Sequence, residues 1–363
     1  MDNLSLEEKI GQMFMIGLDE NEISKRTIEM IQTYKVGGII LYYRNYHNYT
    51  EMLALINQIK EINRVNKVPI FISIDQEGGR VNRMPDEIHA MKNAFAIAST
   101  KDIELIKRSS ALIGKILKQT GIDLNYAPVL DIKRFEENHP IGNRCYADNP
   151  EEVCIYGIEA MKQMQEQKVI AAVKHFPGHG TTQKDSHFRI PTVKVSLEEL
   201  LKQDMVPFEK AIQEGADAIM IGHLLVKCMD TKYPASLSKK VVEENLRQRY
   251  QYNGLTITDD LKMWAVKLHY SKKQAVMKAI QAGNDIIMLG FSYREIKEII
   301  QYIQRKVKKG SLKIEDIDVH VQRILEMKKK YAVSDEEVKG INIEEINEQM
   351  DAVNHLINEK QPN

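Results

Sequence analysis

Short apolar, β-prone runs alternate along this chain with longer charged segments whose apolar residues return at helical spacing. The runs fall at 13–18, 38–43, 69–75, 122–130, 169–175, 216–223, 255–259 and 285–290, eight in all. Between them, 50–64, 103–119, 150–167, 197–213 and 272–281 are each long enough for a crossover helix. The helix-to-strand junctions echo one another: Gly121-Ile122-Asp123, Gly215-Ala216-Asp217 and Gly283-Asn284-Asp285 each put glycine, which fits the left-handed position that ends a helix, before an apolar strand. The repeated unit predicts an α/β fold, a (β/α)8 TIM-like barrel, in preference to a doubly wound open sheet. From about Ser334 the pattern turns acidic and amphipathic without further strand signal, so one or two helices are expected to pack outside the barrel and to fray at the end. The division is a single catalytic domain over 1–333 with a C-terminal helical extension over 334–363.

The chain has 363 residues, ordinary for one α/β barrel. Its 51 basic residues balance 51 acidic ones, so no global positive field recruits nucleic acid or an anionic membrane, and the expected partner is a small molecule or a neutral polymer. Three cysteines (Cys145, Cys154, Cys228) without CxxC spacing argue against a disulfide framework and a thiolate metal cluster. The first residues carry acids where a signal peptide carries bases, and no apolar run approaches the ~20 residues of a bilayer span. A cytoplasmic location follows, unless an export signal had been removed.

Polar residues gather at the carboxyl ends of the predicted strands: Asp75, Asp131, Lys174, His175, His223 and Asp259. Barrel enzymes place their chemistry at that rim, and a cluster with two histidines and a lysine is more than the polarity any chain shows on emerging into water. The densest stretch is Lys174 to Gly180, KHFPGHG, followed shortly by Asp185-Ser186-His187 in a segment that reads as solvated. In extended backbone Asp185 and His187 share a side, so the carboxylate can orient the imidazole and raise its pKa toward working pH. In ITDD an apolar strand runs into Asp259 and Asp260. Only one of two neighbours on a strand faces the barrel axis, and parity leaves open which is the nucleophile and which caps the next helix.

Three further segments carry candidates. In DQEGGRVNR a strand ends at Asp75 and Glu77 and turns at Gly78-Gly79 toward Arg80 and Arg83, a pattern suited to vicinal hydroxyls and equally to an Arg-carboxylate turn. Arg144, in a long connection after Asp131 and His139, is a ligand candidate. Tyr42, Tyr43, Tyr46 and Tyr49 beside Arg44 either stack on a sugar or finish the core.

Taken together, DQEGGR, NYAPVLDI, GNRCY, KHFPGHG with DSH, the histidine at 223 and ITDD resemble glycoside hydrolase family 3, over roughly Leu6 to Met327. More narrowly they resemble its bacterial β-N-acetylglucosaminidase (β-hexosaminidase) branch. The resemblance implies a retaining exo-β-N-acetylglucosaminidase acting on terminal β-linked N-acetylglucosamine, with peptidoglycan-derived muropeptides as the expected substrates and no metal or other cofactor. It implies Asp259 as nucleophile, His187 with Asp185 as acid/base dyad, and Asp75, Arg83, Arg144, Lys174, His175 and His223 as substrate-binding residues. Some relatives are thought to use phosphate in place of water, so a phosphorylase is the alternative. Two other readings are a metal-dependent barrel hydrolase built on His175, His179, Asp185 and His187, and a non-catalytic sugar-binding barrel. Against the metal, His175 and His179 flank Pro177 and are expected to diverge.

Overall fold

Eight parallel strands run side by side around a barrel in the computed structural model, which describes residues 4–18, 22–134, 141–179, 182 and 190–361. They are β1 (Phe14–Gly17), β2 (Gly38–Leu41), β3 (Phe71–Ile74), β4 (Leu124–Asn125), β5 (Ile170–Phe176), β6 (Ala218–Ile221), β7 (Leu255–Thr258) and β8 (Ile287–Leu289). Each pairs with its neighbour in chain order, and β8 pairs back with β1 in the register Phe14 to Ile287. The circle closes between β7 and β8 through the parallel bridge of Ile257 with Ile286, where Thr258 N–H donates to the Ile286 carbonyl at 3.0 Å. Parallel strands buried on both faces want unbroken apolar sequence, and Phe14, Met15, Ile16, Ile39, Ile40, Ile72, Val173, Ile219 and Ile257 are all fully buried.

Helices Tyr49–Asn63, Ile103–Thr120, Pro150–Glu166 and Lys272–Ala282 match the predicted crossovers. Gly121 and Gly283 take left-handed φ of 88° and 106° at helix ends, as the junction pattern required, and Gly215 does the same at 86°. Two predictions need correcting. The segment 197–213 is two helices, Leu197–Lys202 and Val206–Gln213, because Pro207 has no N–H and sits where a second helix begins. The fourth strand shrinks to two residues, since Pro128 interrupts the ladder, although Val129 still bridges Lys174. At the chain's end one helix, Ile343–Lys360, lies against Ile103–Thr120, tied by Asn347 to the Glu87 carbonyl and by Asn354 to the Ala90 carbonyl.

The amino-terminal face of the barrel is held by buried polar side chains, Asp285 and Lys328. Asp285 accepts from Arg247 at 2.5 Å, the Thr256 N–H at 2.9 Å, His320 Nδ1 at 2.9 Å and Arg323 at 3.1 Å. The fully buried carboxyl is pushed up by desolvation, but Arg247, His320 and Arg323 outweigh that and hold it well below its ordinary value. Lys328 donates to Gln12 Oε1, the Gly37 carbonyl and the Pro69 carbonyl at 2.7, 3.0 and 2.6 Å, joining the entries of β1, β2 and β3. Replacing Asp285 by Ala strands the buried Arg247 guanidinium and is expected to lower unfolding free energy by about 3–5 kcal/mol. Urea unfolding checks this, and a loss below roughly 1 kcal/mol would show that the network holds little.

Candidate active site

The opposite, carboxyl-terminal rim is built outward from β3. Asn125, buried at the end of β4, returns both halves of its amide to the backbone of Gln76: Oδ1 accepts the Gln76 N–H at 2.8 Å and Nδ2 donates to the Gln76 carbonyl at 2.9 Å. The Gln76 side chain then fixes the far arm of the loop, Oε1 accepting the Arg83 N–H at 2.8 Å and Nε2 donating to Asn82 at 2.6 Å. Between them Gly78 and Gly79 take φ of 87° and 57°, which side chains with a Cβ rarely adopt, so the doubled glycine is what turns Glu77 back toward the barrel. Asp75 and Glu77 thus reach the rim together, while the Arg83 side chain is half-buried and donates to its neighbour's carbonyl, Asn82 O, at 3.3 Å.

Glu77 meets the two cations the sequence singled out. Lys174, on β5 and 2% exposed, contacts Glu77 at 2.6 Å and Asp75 at 2.8 Å. Arg144, on the short turn Gly142–Arg144, grips Glu77 with a two-pronged contact, Nε to Oε2 and Nη2 to Oε1, each at 2.7 Å. Burial works to raise the Glu77 carboxyl, but the charges and hydrogen bonds of Lys174 and Arg144 prevail and hold it at about 2. Lys174 is likewise pushed down by burial and up, more strongly, by Asp75 and Glu77, so it stays charged.

A second cluster abuts the first. His175 follows Lys174 directly, and the ladder to β6 shifts register between Val173 and Phe176, an irregularity that re-aims side chains. Asp131, 1% exposed, accepts from His175 Nδ1 at 2.7 Å, the His175 N–H at 3.2 Å and the His179 N–H at 2.9 Å. Nδ1 is therefore the donor and Nε2 is left for a ligand. The expected divergence of His175 and His179 is wrong: their rings lie edge to face at 5.2 Å, because one carboxylate ties both ends of the Pro177 turn. Asp131, His175 and His179 offer ligand atoms within 4.8 Å of one another, yet both Asp131 oxygens already accept N–H donors.

Beyond β7 the adjacent carboxylates part company. Asp260 Oδ1 accepts the N–H groups of Lys262 and Gly290 at 2.9 and 2.8 Å, a capping arrangement. Asp259 is partly exposed and accepts the Asp260 N–H on Oδ1 at 2.8 Å. His223, at the end of β6, donates from Nε2 to the Asp260 carbonyl at 3.0 Å and meets Ser236 Oγ with Nδ1 at 2.7 Å. Desolvation raises the Asp259 carboxyl, but His223, His175, the Asp260 N–H and Lys174 pull it below its ordinary value, whereas burial and the Asp259 charge push Asp260 up. One carboxylate of the pair stays ionised and the other does not as readily, a division typical of working sites.

Asp75, Lys174, His175, Arg144, His223 and Asp259 share one rim; Asp185, His187 and His139 lie outside the described residues. Glu77 and Asp131 were visible as polar strand-end residues but had no role assigned, since the sequence does not show that each serves two partners. Of the tyrosines, Tyr46 and Tyr49 are core residues and Tyr43 is exposed, leaving Tyr42 at the rim.

A (β/α)8 barrel with acids, bases and cations at its carboxyl rim has the form of a barrel enzyme. The description glycosyl hydrolase family 3 N terminal domain fits residues 5–327, and the chain belongs to that family. It is 31% identical over 327 residues to beta-hexosaminidase A of Pseudoalteromonas piscicida, covering 83% of this chain but only 54% of that relative. With a beta-hexosaminidase of Photobacterium profundum it shares 35% identity over 270 residues, 74% of this chain and 78% of the relative. Among solved structures, a glycoside hydrolase family 3 β-N-acetylglucosaminidase from Paenibacillus sp. str. FPU-7 superposes with TM-score 0.90 at 34% identity, covering 99% of this chain and 69% of that one.

A carboxyl held below its ordinary value stabilises the fold fully above that value and less as pH falls through the folded one. For Glu77 the window runs from 4.5 down to about 2. Glu77→Gln is expected to lower Tm at pH 7 and to flatten the acid decline of Tm within that window. Calorimetry from pH 7 downward checks it, and parallel declines for both proteins would remove Glu77 as a main acid-sensitive group.

Proposed function

We propose that this chain is a retaining exo-β-N-acetylglucosaminidase that removes terminal β-linked N-acetylglucosamine, with peptidoglycan-derived muropeptides as natural substrates. The observation that carries the reading is the Asp259 carboxylate, partly exposed at the tip of β7 and kept ionised by His223, His175 and Lys174. In support, the relatives named above are hexosaminidases and acetylglucosaminidases.

In the first step Asp259 attacks the anomeric carbon; the carbon–oxygen bond to the leaving sugar breaks as His187, oriented by Asp185, hands its proton to that oxygen. In the second, His187 takes a proton from water, the hydroxide oxygen bonds the anomeric carbon, and the Asp259 ester is released. The roles of His187 and Asp185 rest on the DSH motif and the family resemblance. Asp75 accepts from sugar hydroxyls, Lys174 and Arg144 donate from beside it, and Arg83, His175 through Nε2 and His223 complete the binding set. Lys174 contacts both Asp75 and Glu77, so it holds the sugar-binding carboxylate at a fixed position before substrate arrives.

Turnover of 4-nitrophenyl β-N-acetylglucosaminide is the direct test, and its absence in a folded preparation would sink the proposal. Asp259→Ala is expected to abolish turnover of every β-N-acetylglucosaminide; near-normal rates would exclude it as nucleophile. His187→Ala is expected to slow substrates with poor leaving groups by about 10²–10⁴-fold and activated aryl glycosides much less. Equal losses on both kinds of substrate would count against an acid role.

A further inference from the structure

The loops after β3 and β4 and the end of β5 crowd the rim with Asp75, Glu77, Arg144, Lys174 and His175, whereas the sector from β8 through β1 to β2 holds a cavity. Its volume is about 220 Å³, and it is lined by Gly17, Leu18, Arg44, Lys262, Gly290 and Phe291. The cavity abuts the nucleophile's neighbour. Asp260 binds the N–H of two of its lining residues, Lys262 and Gly290, and binds Asp259 from its own N–H. A Cβ on Gly290 would come within 2.1 Å of Asp260 Oδ2, so the wall between cavity and nucleophile is one carboxylate thick. Tyr42 closes the other side: its ring packs against Gly17 and feels the charges of Asp260, Asp75 and Asp259.

The charge in this cavity differs from that of the rim beside it. Lys174 and Arg144 are each neutralised by a carboxylate. Arg44 instead lies over the Tyr42 ring at 4.3 Å and donates to the Leu18 carbonyl at 3.3 Å, which holds the guanidinium in place without cancelling its charge. Among the described residues neither Arg44 nor Lys262 is ion-paired with a carboxylate, and both are exposed. A fork of donors and a point charge among the lining residues of one polar hollow suit an anion.

We propose that this cavity is an aglycone subsite that reads a carboxylate on the leaving sugar, with Arg44 and Lys262 as the specificity-determining residues. It rests on the proposed function, since it takes Asp259 as the point of cleavage. With the β3–β5 sector filled, the remainder of a substrate held at Asp259 extends toward β8, β1 and β2, and an acidic substituent there meets both cations.

Two disaccharides with the same scissile N-acetylglucosamine separate the cases: one whose second sugar is N-acetylmuramic acid, bearing a lactyl carboxylate, and neutral N,N′-diacetylchitobiose. The ratio of kcat/KM for the acidic over the neutral substrate is measured for wild type, Arg44→Gln, Lys262→Gln and the double variant, each checked for an unchanged Tm. The wild-type ratio is expected to favour the acid and to fall as salt is raised. In the double variant it is expected to drop about tenfold or more, mainly through KM, the order a lost charge-assisted hydrogen bond gives. Arg44→Lys should recover part of it. A ratio unchanged within roughly twofold, or no wild-type preference, overturns the subsite while leaving the glycosidase reading intact; cleavage of neither disaccharide nor the aryl glycoside overturns that reading itself. If the ratio holds but the wild type, and not the double variant, makes N-acetylglucosamine 1-phosphate from added phosphate, the cavity holds a free anion and the aglycone assignment is wrong.

Discussion

Glu77 is 5% exposed in its side chain and accepts from Lys174 and from both prongs of Arg144, so one carboxylate ties the loops that leave β3 and β4 to the strand β5. Taking such a group out of water is favourable only if its charge is paired and its remaining lone pairs find donors, and here the two cationic partners come from sequence positions 67 and 97 residues away. Because Lys174 also contacts Asp75, the position of a solvent-facing acid is decided by a buried one. The rim is therefore organised before a ligand arrives, and its rigidity comes from charge compensation where the apolar core has ended.

The same logic separates the two ends of the barrel. At the amino-terminal face, Asp285 and Lys328 spend all their described hydrogen bonds on the protein, joining helices to strand entries. At the carboxyl face, Asp131 anchors His175 and the start of the loop beyond Pro177, yet leaves His175 Nε2 without a hydrogen bond among the described residues. Asp260 does for Asp259 what Asp131 does for His175: it takes up the backbone donors of the turn, and the adjacent carboxylate stays partly exposed. His175 and Asp259 thus each stand beside a second polar residue that absorbs the local backbone.

Strand number could be read from the count of apolar runs, because parallel strands buried on both faces favour unbroken apolar sequence; the closed barrel was preferred to an open sheet on the repeated strand–helix unit, since both folds bury their strands alike. Glycine ahead of Ile122, Ala216 and Asn284 marked the helix ends for an equally local reason, the missing Cβ. What failed was what depended on proline within an element: Pro128 shortened β4, and Pro207 divided a helix that periodicity alone had run through. The convergence of His175 with His179 failed as an expectation for a different reason. It is imposed by Asp131, 44 residues from His175, and no local rule contains that contact.

By itself the sequence determined which chemistry was present: the carboxylates, imidazoles and cations at strand ends, and the left-handed turns that glycine alone permits. These are properties of a residue and its immediate neighbours. The tertiary structure decided which groups share a charge. Parity on a strand would send Lys174 and His175 to opposite faces; both reach the rim where the ladder shifts register between Val173 and Phe176 and the Lys174–His175 peptide is cis. Nor does strand parity distinguish Asp259 from Asp260, and only the family resemblance singled out Asp259; in the fold the difference lies in the amides of Lys262 and Gly290, which the closing of β8 beside β7 presents to one carboxylate and not to the other.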